Sequence, residues 1–314
     1  MENTIYVNSL PSRTWNRLGV NEAAIRWDVD AEVLLESQSF SVISGENAPL
    51  RVEAVNDSAA YGRRVYTVNA AAGADVTIYE ICTAAQPLTV ELKLTTAEGA
   101  HIRIVQLLNP AGGAVLRHTL TAALAADARL DLVSLPLGSG AVYADHQIDL
   151  AGDRAALRVD FGYLVRSSDT VDINLTVNHL GKATASEIHA AGALMERARK
   201  VFRGTIDFKR GSADSVGSEN ETVLLLGEEV ENKTIPVILC AEENVEGSHG
   251  ATIGELDAET LFYFASRGIG KAEAEAILAR AAVERLARMA ADESFSARAV
   301  GALNHLLCAK EERT

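Results

Sequence analysis

The chain has 314 residues and a formal net charge of −14, with 48% apolar, 5% aromatic and 23% charged content. That length can bury a sizeable core in one large domain or two smaller ones, filled by Val, Ile, Leu and Ala rather than by rings. The acidic balance argues against nucleic-acid binding and against docking to anionic lipid, both of which need clustered Lys and Arg. No apolar run reaches the roughly 18 residues of a membrane span.

The N-terminal stretch MENTIYVNSLPSRTW lacks the basic-then-apolar pattern of a signal peptide. Cys82, Cys240 and Cys308 lie far apart with no CxxC pair, which is neither a disulfide framework nor a zinc module. A reduced, cytoplasmic protein is the expectation. Residues 1–31 predict a helical lead. Residues 10–15 (LPSRTW) read as a turn entering a helix and 20–25 (VNEAAI) as a second short one, with Asn21 as N-cap. Trp15 and Trp27 are expected to anchor this lead on the body.

Residues 32–254 predict a β core. Apolar and polar residues alternate over 75–81, 88–94, 101–105, 128–133, 156–161, 170–177, 201–208 and 222–226. Such period-two runs are the mark of half-buried strands. In the first run, one face carries Val76, Ile78 and Glu80. A sandwich, a barrel and a β-helix all fit the pattern. The number of strands favours the β-helix, and the lack of a strict internal repeat leaves the choice open.

Residues 255–314 predict a helical domain. Asp257 is the expected N-cap of the first helix and Gly268 its C-cap. A second helix over 271–291 places Ile277, Leu278, Ala281, Leu286 and Met289 on an apolar stripe. A third starts at Ser294 and turns Phe295, Val300, Leu303, Leu306 and Leu307 inward, with Cys308 packed. Residues 310–314 read as a solvated tail.

No GxSxG, HExxH or Walker A motif is present, and the Gly112-Gly113 and Gly138-Ser139-Gly140 glycines read as turns. The chain therefore has no evident nucleotide site of its own. His101, His118, His146, His179, His189 and His305 fall in or beside strand and helix patterns and read as structural imidazoles. His249 differs, because Ser248, Gly250 and Ala251 leave room for a close partner. Cys240 ends the apolar run 235–239. It reads either as a buried strand thiol or as a thiolate that carries sulfur or ligates iron. Glu243 is a weaker oxygen donor nearby. Cys240 and His249 lie nine residues apart in a polar segment rich in Glu, Asn and Gly, read as turn-rich. A thiol and an imidazole in one such segment suit a soft metal or a sulfur species.

Several motifs then recur in one order: 10–15 (LPSRTW), 203–207 (RGTID), 230–236 (VENKTIP), 246–254 (EGSHGATIG) and 261–269 (LFYFASRGI). Together they resemble the SufB/SufD family of iron–sulfur cluster assembly scaffolds. The resemblance implies a right-handed parallel β-helix flanked by helices. It implies pairing with a second SufB/SufD-type subunit or a second copy, and a SufC-type ABC ATPase as partner. It also implies a transient iron–sulfur cluster near the subunit interface.

Under that resemblance His249 matches the histidine of the SufD-type His-Gly-Ala-Thr motif. Where a SufB-type chain carries a glutamate after this histidine, the present chain has Gly250. The SufB-type sulfur-accepting cysteine aligns near Glu221, where there is no thiol. Both departures favour a SufD-like or short ancestral-type scaffold and leave Cys240 as the substitute thiol, and the chain length suits a minimal scaffold. The expectation is thus a non-catalytic scaffold. Cys240, His249 and Glu243 are its metal-site candidates. Leu261, Phe262, Phe264, Arg267 and Gly268 are its ATPase-docking candidates. Cys82 and Cys308 are expected to be inert. Two other readings compete: a β-helical carbohydrate-active enzyme using Asp160, Asp172 and Asp207, and a structural ATPase partner without a metal site.

Overall fold

Alternating sequences close into a long parallel solenoid in the computed structural model, which describes residues 3–14, 16–46 and 48–308. Its odd-numbered strands are β3 (Glu32–Val42), β5 (Tyr61–Ala70), β7 (Leu88–Thr96), β9 (Ala114–Leu124), β11 (Gly140–Leu150), β13 (Thr170–His179), β15 (Arg199–Phe208) and β17 (Glu231–Cys240). The even-numbered ones are β4 (Leu50–Asn56), β6 (Asp75–Ala84), β8 (His101–Pro110), β10 (Arg129–Pro136), β12 (Ala156–Val165), β14 (Ala185–Met195), β16 (Ser215–Leu226) and β18 (Val245–Glu255). Each set forms one eight-stranded sheet stacked in chain order. All pairings within the two sheets are parallel. Every coil therefore contributes one strand to each sheet, and the apolar face of each strand meets the other sheet across a shared core. This is the parallel β-helix that the resemblance implied.

The repeat that the sequence hid appears at one corner. Gly73, Gly99, Asp127, Arg154, Ala183 and Asp214 all adopt positive φ. The amide of each donates to a carbonyl on the next coil, as in Gly99 to Ala126, Arg154 to Lys182 and Asp214 to Asn244. Only two of the six are glycines, so the left-handed corner is imposed by stacking and not by local preference.

Among the described residues of 1–31 the expected helical lead is not observed. Residues Asn3–Val7 (β1) and Ala23–Trp27 (β2) pair as an antiparallel ribbon, and the helical content is one short 3-10 turn at Asn16–Leu18. Asn21 is not an N-cap. Its side chain accepts from the Thr14 amide at 2.7 Å and its carbonyl from the Leu10 amide at 2.8 Å, which closes the loop between the two strands. The ribbon is docked on the outside of the solenoid. Asn8 Nδ2 donates to Asp172, and Arg203 Nε donates to the Val20 carbonyl at 2.6 Å. Trp27 is fully buried, with the Arg117 guanidinium 4.9 Å from its ring. Trp15 and residues 310–314 lie outside the described residues.

Three helices follow: α1 (Ala258–Ala265), α2 (Lys271–Arg288) and α3 (Glu293–Cys308). Asp257 caps α1 by accepting from the Thr260 amide. Helices α2 and α3 lie back along the outside of the even-numbered sheet. There Leu286, Phe295, Leu303 and Leu306 share one apolar cluster with Tyr79, Leu107, Leu135 and Leu164. Arg51–Asp292 and Arg298–Glu53 contacts tie the helices to the early coils. The buried stripe on α2 runs through Ala274, Ala279, Val283, Leu286 and Ala287, whereas the expected Ile277 and Met289 are exposed. Cys308 is exposed too, not packed.

Candidate functional site

The last coil is the open end of the solenoid. Strands β17 and β18 are the terminal members of their sheets, each paired on one side only. Pro236 sits within β17, where a missing N–H is tolerated because no further strand follows. The segment expected to be turn-rich is in fact mostly strand, with bends confined to the connections. Strand β18 is exposed along almost its whole length.

Cys240 ends β17 in register with Phe208, and His249 lies within β18 in register with Glu219. Phe208 belongs to the solenoid core and Glu219 is buried. In-register parallel partners share a face. Both candidates therefore continue interior-facing ladders out to the uncovered end, and both are exposed. The Cys240 thiol donates to the Glu242 carbonyl at 3.0 Å. Exposed Glu243 lies in the bend between the strands, its amide donating to Glu242 Oε1. Within one chain these residues do not converge. Among the described residues one Cys/His/carboxylate group of three has ligand atoms within 4.8 Å of one another, and it is Glu80, Cys82 and His118 in the early coils.

Directly behind the open end lies a polar cluster that the sequence reading missed. Buried Lys200 Nζ is 2.5 Å from Glu221 Oε1 and donates to Thr234 Oγ1 at 3.1 Å. Tyr163 Oη and Thr234 Oγ1 also donate to Glu221. Burial, aided by the Glu221 charge, pushes the neighbouring Glu219 carboxyl up to about 8. A Cβ on Gly204 would collide with the Glu219 carboxylate, so Gly204 makes room for it. The signal was present in SENETV, where Glu219 and Glu221 keep phase with Val223 and so must face inward.

The motif arginine Arg203 has a structural task. It is buried in an ion pair with Asp172 while holding the N-terminal loop. Asp160 pairs with Arg158 and Asp207 with Lys209. The three aspartates of the carbohydrate-active reading are thus each engaged by a cation, on separate strands.

Helix α1 has no buried residue. Phe262 and Tyr263 are 74% and 54% exposed. The Arg267 guanidinium covers the Tyr263 ring at 3.7 Å, and Gly268 takes a left-handed φ of 78° that ends the turn. Leu261 and Phe264 are half-buried.

A family model for the SUF system FeS cluster assembly SufBD core domain matches residues 51–282, from β4 into α2. Among curated relatives, the iron-sulfur cluster assembly protein SufD of Bacillus subtilis is 26% identical over 157 residues, covering 50% of this chain and 36% of the relative. The protein of the same name from Escherichia coli K12 is 26% identical over 205 residues, covering 64% and 48%. An iron-sulfur cluster assembly SufBD family protein of Synechocystis is 24% identical over 184 residues, covering 57% and 40%. The matched stretch spans less than half the length of each relative. Among the described residues no helix is long and apolar enough to cross a membrane. A family match over most of the solenoid, together with the motif order along the chain, makes this chain a member of the SufB/SufD family of the SUF iron–sulfur cluster assembly system.

Proposed function

We propose that the chain is a non-catalytic scaffold subunit. It holds a transient iron–sulfur cluster, as cargo, at the open end of its solenoid, and it works with a SufC-type ABC ATPase docked on α1. The observation that carries this reading is the uncovered terminal coil, which exposes one thiol and one imidazole at the mouth of a closed core. A cluster needs four ligands, and one chain offers two strong ones here. Pairing with a second copy or a second SufB/SufD-type subunit covers the terminal strands and brings the remaining ligands. The exposed carboxylate of Glu243 suits a cluster that must later leave, because it binds more weakly than a thiolate.

Anaerobic reconstitution with iron and sulfide tests the site. Cys240→Ser and His249→Ala are each expected to lower retained iron, with unchanged folding and ATPase binding. Both positions are exposed, so neither change removes core packing. A double variant that retains as much iron and sulfide as the parent overturns the assignment.

The docking surface has its own test. Deleting the chain beyond residue 254 is unsuitable, because it would strip α2 and α3 from the sheet they cover. Each large apolar side chain buried there contributes roughly 1.5–3 kcal/mol. Phe262→Glu is the cleaner change, since that ring touches solvent. It is expected to weaken ATPase binding by at least about 30-fold, as for a central interface residue, with thermal stability unchanged. Undiminished co-purification would move the docking surface elsewhere.

A further inference from the structure

The interior of the early coils holds a second cluster, remote from the open end. Glu80 and Cys82 lie two apart on β6 and therefore share its inward face. His118 reaches them from β9 in the opposite sheet. All three are fully buried, and their ligand atoms lie within 4.8 Å of one another.

A compact hydrogen-bond network surrounds them. The Gln106 side-chain amide donates to Glu80 Oε2 at 2.6 Å and faces His118 Nε2 at 2.9 Å. The reverse amide orientation would set its oxygen against a carboxylate oxygen. Ser134 Oγ donates to Gln106 Oε1 at 2.7 Å and fixes the same orientation. His118 Nε2 lies 3.1 Å from Glu80 Oε1 and 3.2 Å from Oε2, an ion-pair contact that holds the carboxylate when no metal is bound. A buried carboxylate, a buried sulfur and an imidazole nitrogen thus converge on one point. Beside them stands His146. It is fully buried, neither of its ring nitrogens has a hydrogen-bond partner, and its ring centroid is 5.5 Å from that of His118. An unsatisfied buried polar group is costly and calls for a reason.

We propose that Glu80, Cys82 and His118, with His146 as fourth donor, form a resident site for one divalent transition-metal ion of the zinc or ferrous class. The charges close: one carboxylate and one thiolate neutralise a divalent ion in the dry core, where an uncompensated charge would be costly. The donor set of sulfur, nitrogen and one oxygen suits zinc or iron(II) and disfavours calcium or magnesium. The 3.1 Å oxygen–nitrogen separation is near the roughly 3.3 Å edge of a tetrahedron with bonds of about 2.0 Å. As the metal–sulfur bond forms, Cys82 releases its proton to solvent. Burial and the nearby Glu80 push the metal-free Cys82 thiol up, so without a cation it remains protonated. Because the site is sealed, the ion enters while the chain folds and does not exchange afterwards. This role replaces the inert packing expected of Cys82.

The test starts with elemental analysis of the full chain after chelator treatment. One equivalent of zinc or iron is expected, retained against EDTA while folded and released on unfolding. Protein unfolded with EDTA and refolded with Co2+ is expected to show a thiolate-to-cobalt charge-transfer band. Cys82→Ser should abolish the band that survives EDTA treatment of the refolded chain, whereas Cys308→Ser should keep it. His118→Ala should lower metal content by roughly tenfold or more. His146→Phe preserves the stacking on Phe161 and should alter the cobalt d–d spectrum; an unaltered spectrum removes His146 from the ligand set. A folded parent without metal, or a Cys82→Ser chain with full metal content, overturns the site.

Discussion

Lys200→Ala is expected to destabilise the protein by about 3–5 kcal/mol, the cost of leaving a buried charge without its partner. Lys200 and Glu221 are both fully buried, with Lys200 Nζ 2.5 Å from Glu221 Oε1. Burial pulls the Lys200 ammonium down from its ordinary value, and the adjacent Glu221 opposes that pull. Removing the ammonium leaves Glu221 with only the Tyr163 and Thr234 hydroxyls, in a core that already holds the Glu219 carboxyl. Denaturant unfolding provides the measurement. The double change Lys200→Met, Glu221→Gln should recover most of the loss, because neither charge then remains. A single-variant cost below about 1 kcal/mol would mean the pair is solvated, as for surface ion pairs.

Glu219→Gln is expected to reshape the dependence of stability on pH. The folded carboxyl is pushed up to about 8 from the ordinary 4.5, first by burial and then by the Glu221 charge, with Lys200 opposing. Below the unfolded value both states are protonated and the group costs nothing. As pH rises toward 8 the unfolded chain ionises while the folded chain resists, so stability falls across that window. Above it the penalty is constant, about 5 kcal/mol. The glutamine variant removes this slope and should be the more stable protein in mildly alkaline buffer. Unfolding midpoints of parent and variant on either side of the window decide the matter, and parallel profiles would refute the shift. The lesson for the site is local. A carboxyl that is neutral under ordinary conditions stands one register step behind His249.

Much of this was legible in the chain. Every alternating run singled out in the sequence falls on a strand, from 75–81 in β6 to 222–226 in β16. Strands such as β9 and β11 were missed because their inward faces mix His118 and His146 with small residues, which blunts the apolar signal. Strand β18 was missed because its faces are exposed and its composition, Glu, Gly, Ser and His, reads as turn. The helical lead failed for a different reason. VNEAAI carries helix-forming residues, yet Ala23–Trp27 finds a ladder partner in Asn3–Val7, and tertiary pairing overrides a weak local preference. The interior charges were visible in phase. Glu80 already stood with Val76 and Ile78, but a lone carboxylate on an apolar face does not announce its partners.

What the sequence determined by itself was period and order: strands in the middle, helices at the end, and the motif succession that marks the family. Alternation is written residue by residue, and each strand needs only its own pattern to declare which face turns inward. Which residues meet was left to the packing of the folded coils. Coil stacking set the left-handed corner from Gly73 to Asp214, although most of its members are not glycines. Sheet facing sheet brought His118 to Glu80 and Cys82, and the ends of the ladders left Cys240 and His249 uncovered. Those contacts join residues a coil or more apart in the chain. Their positions depend on the length of every intervening turn, and no local pattern encodes that sum.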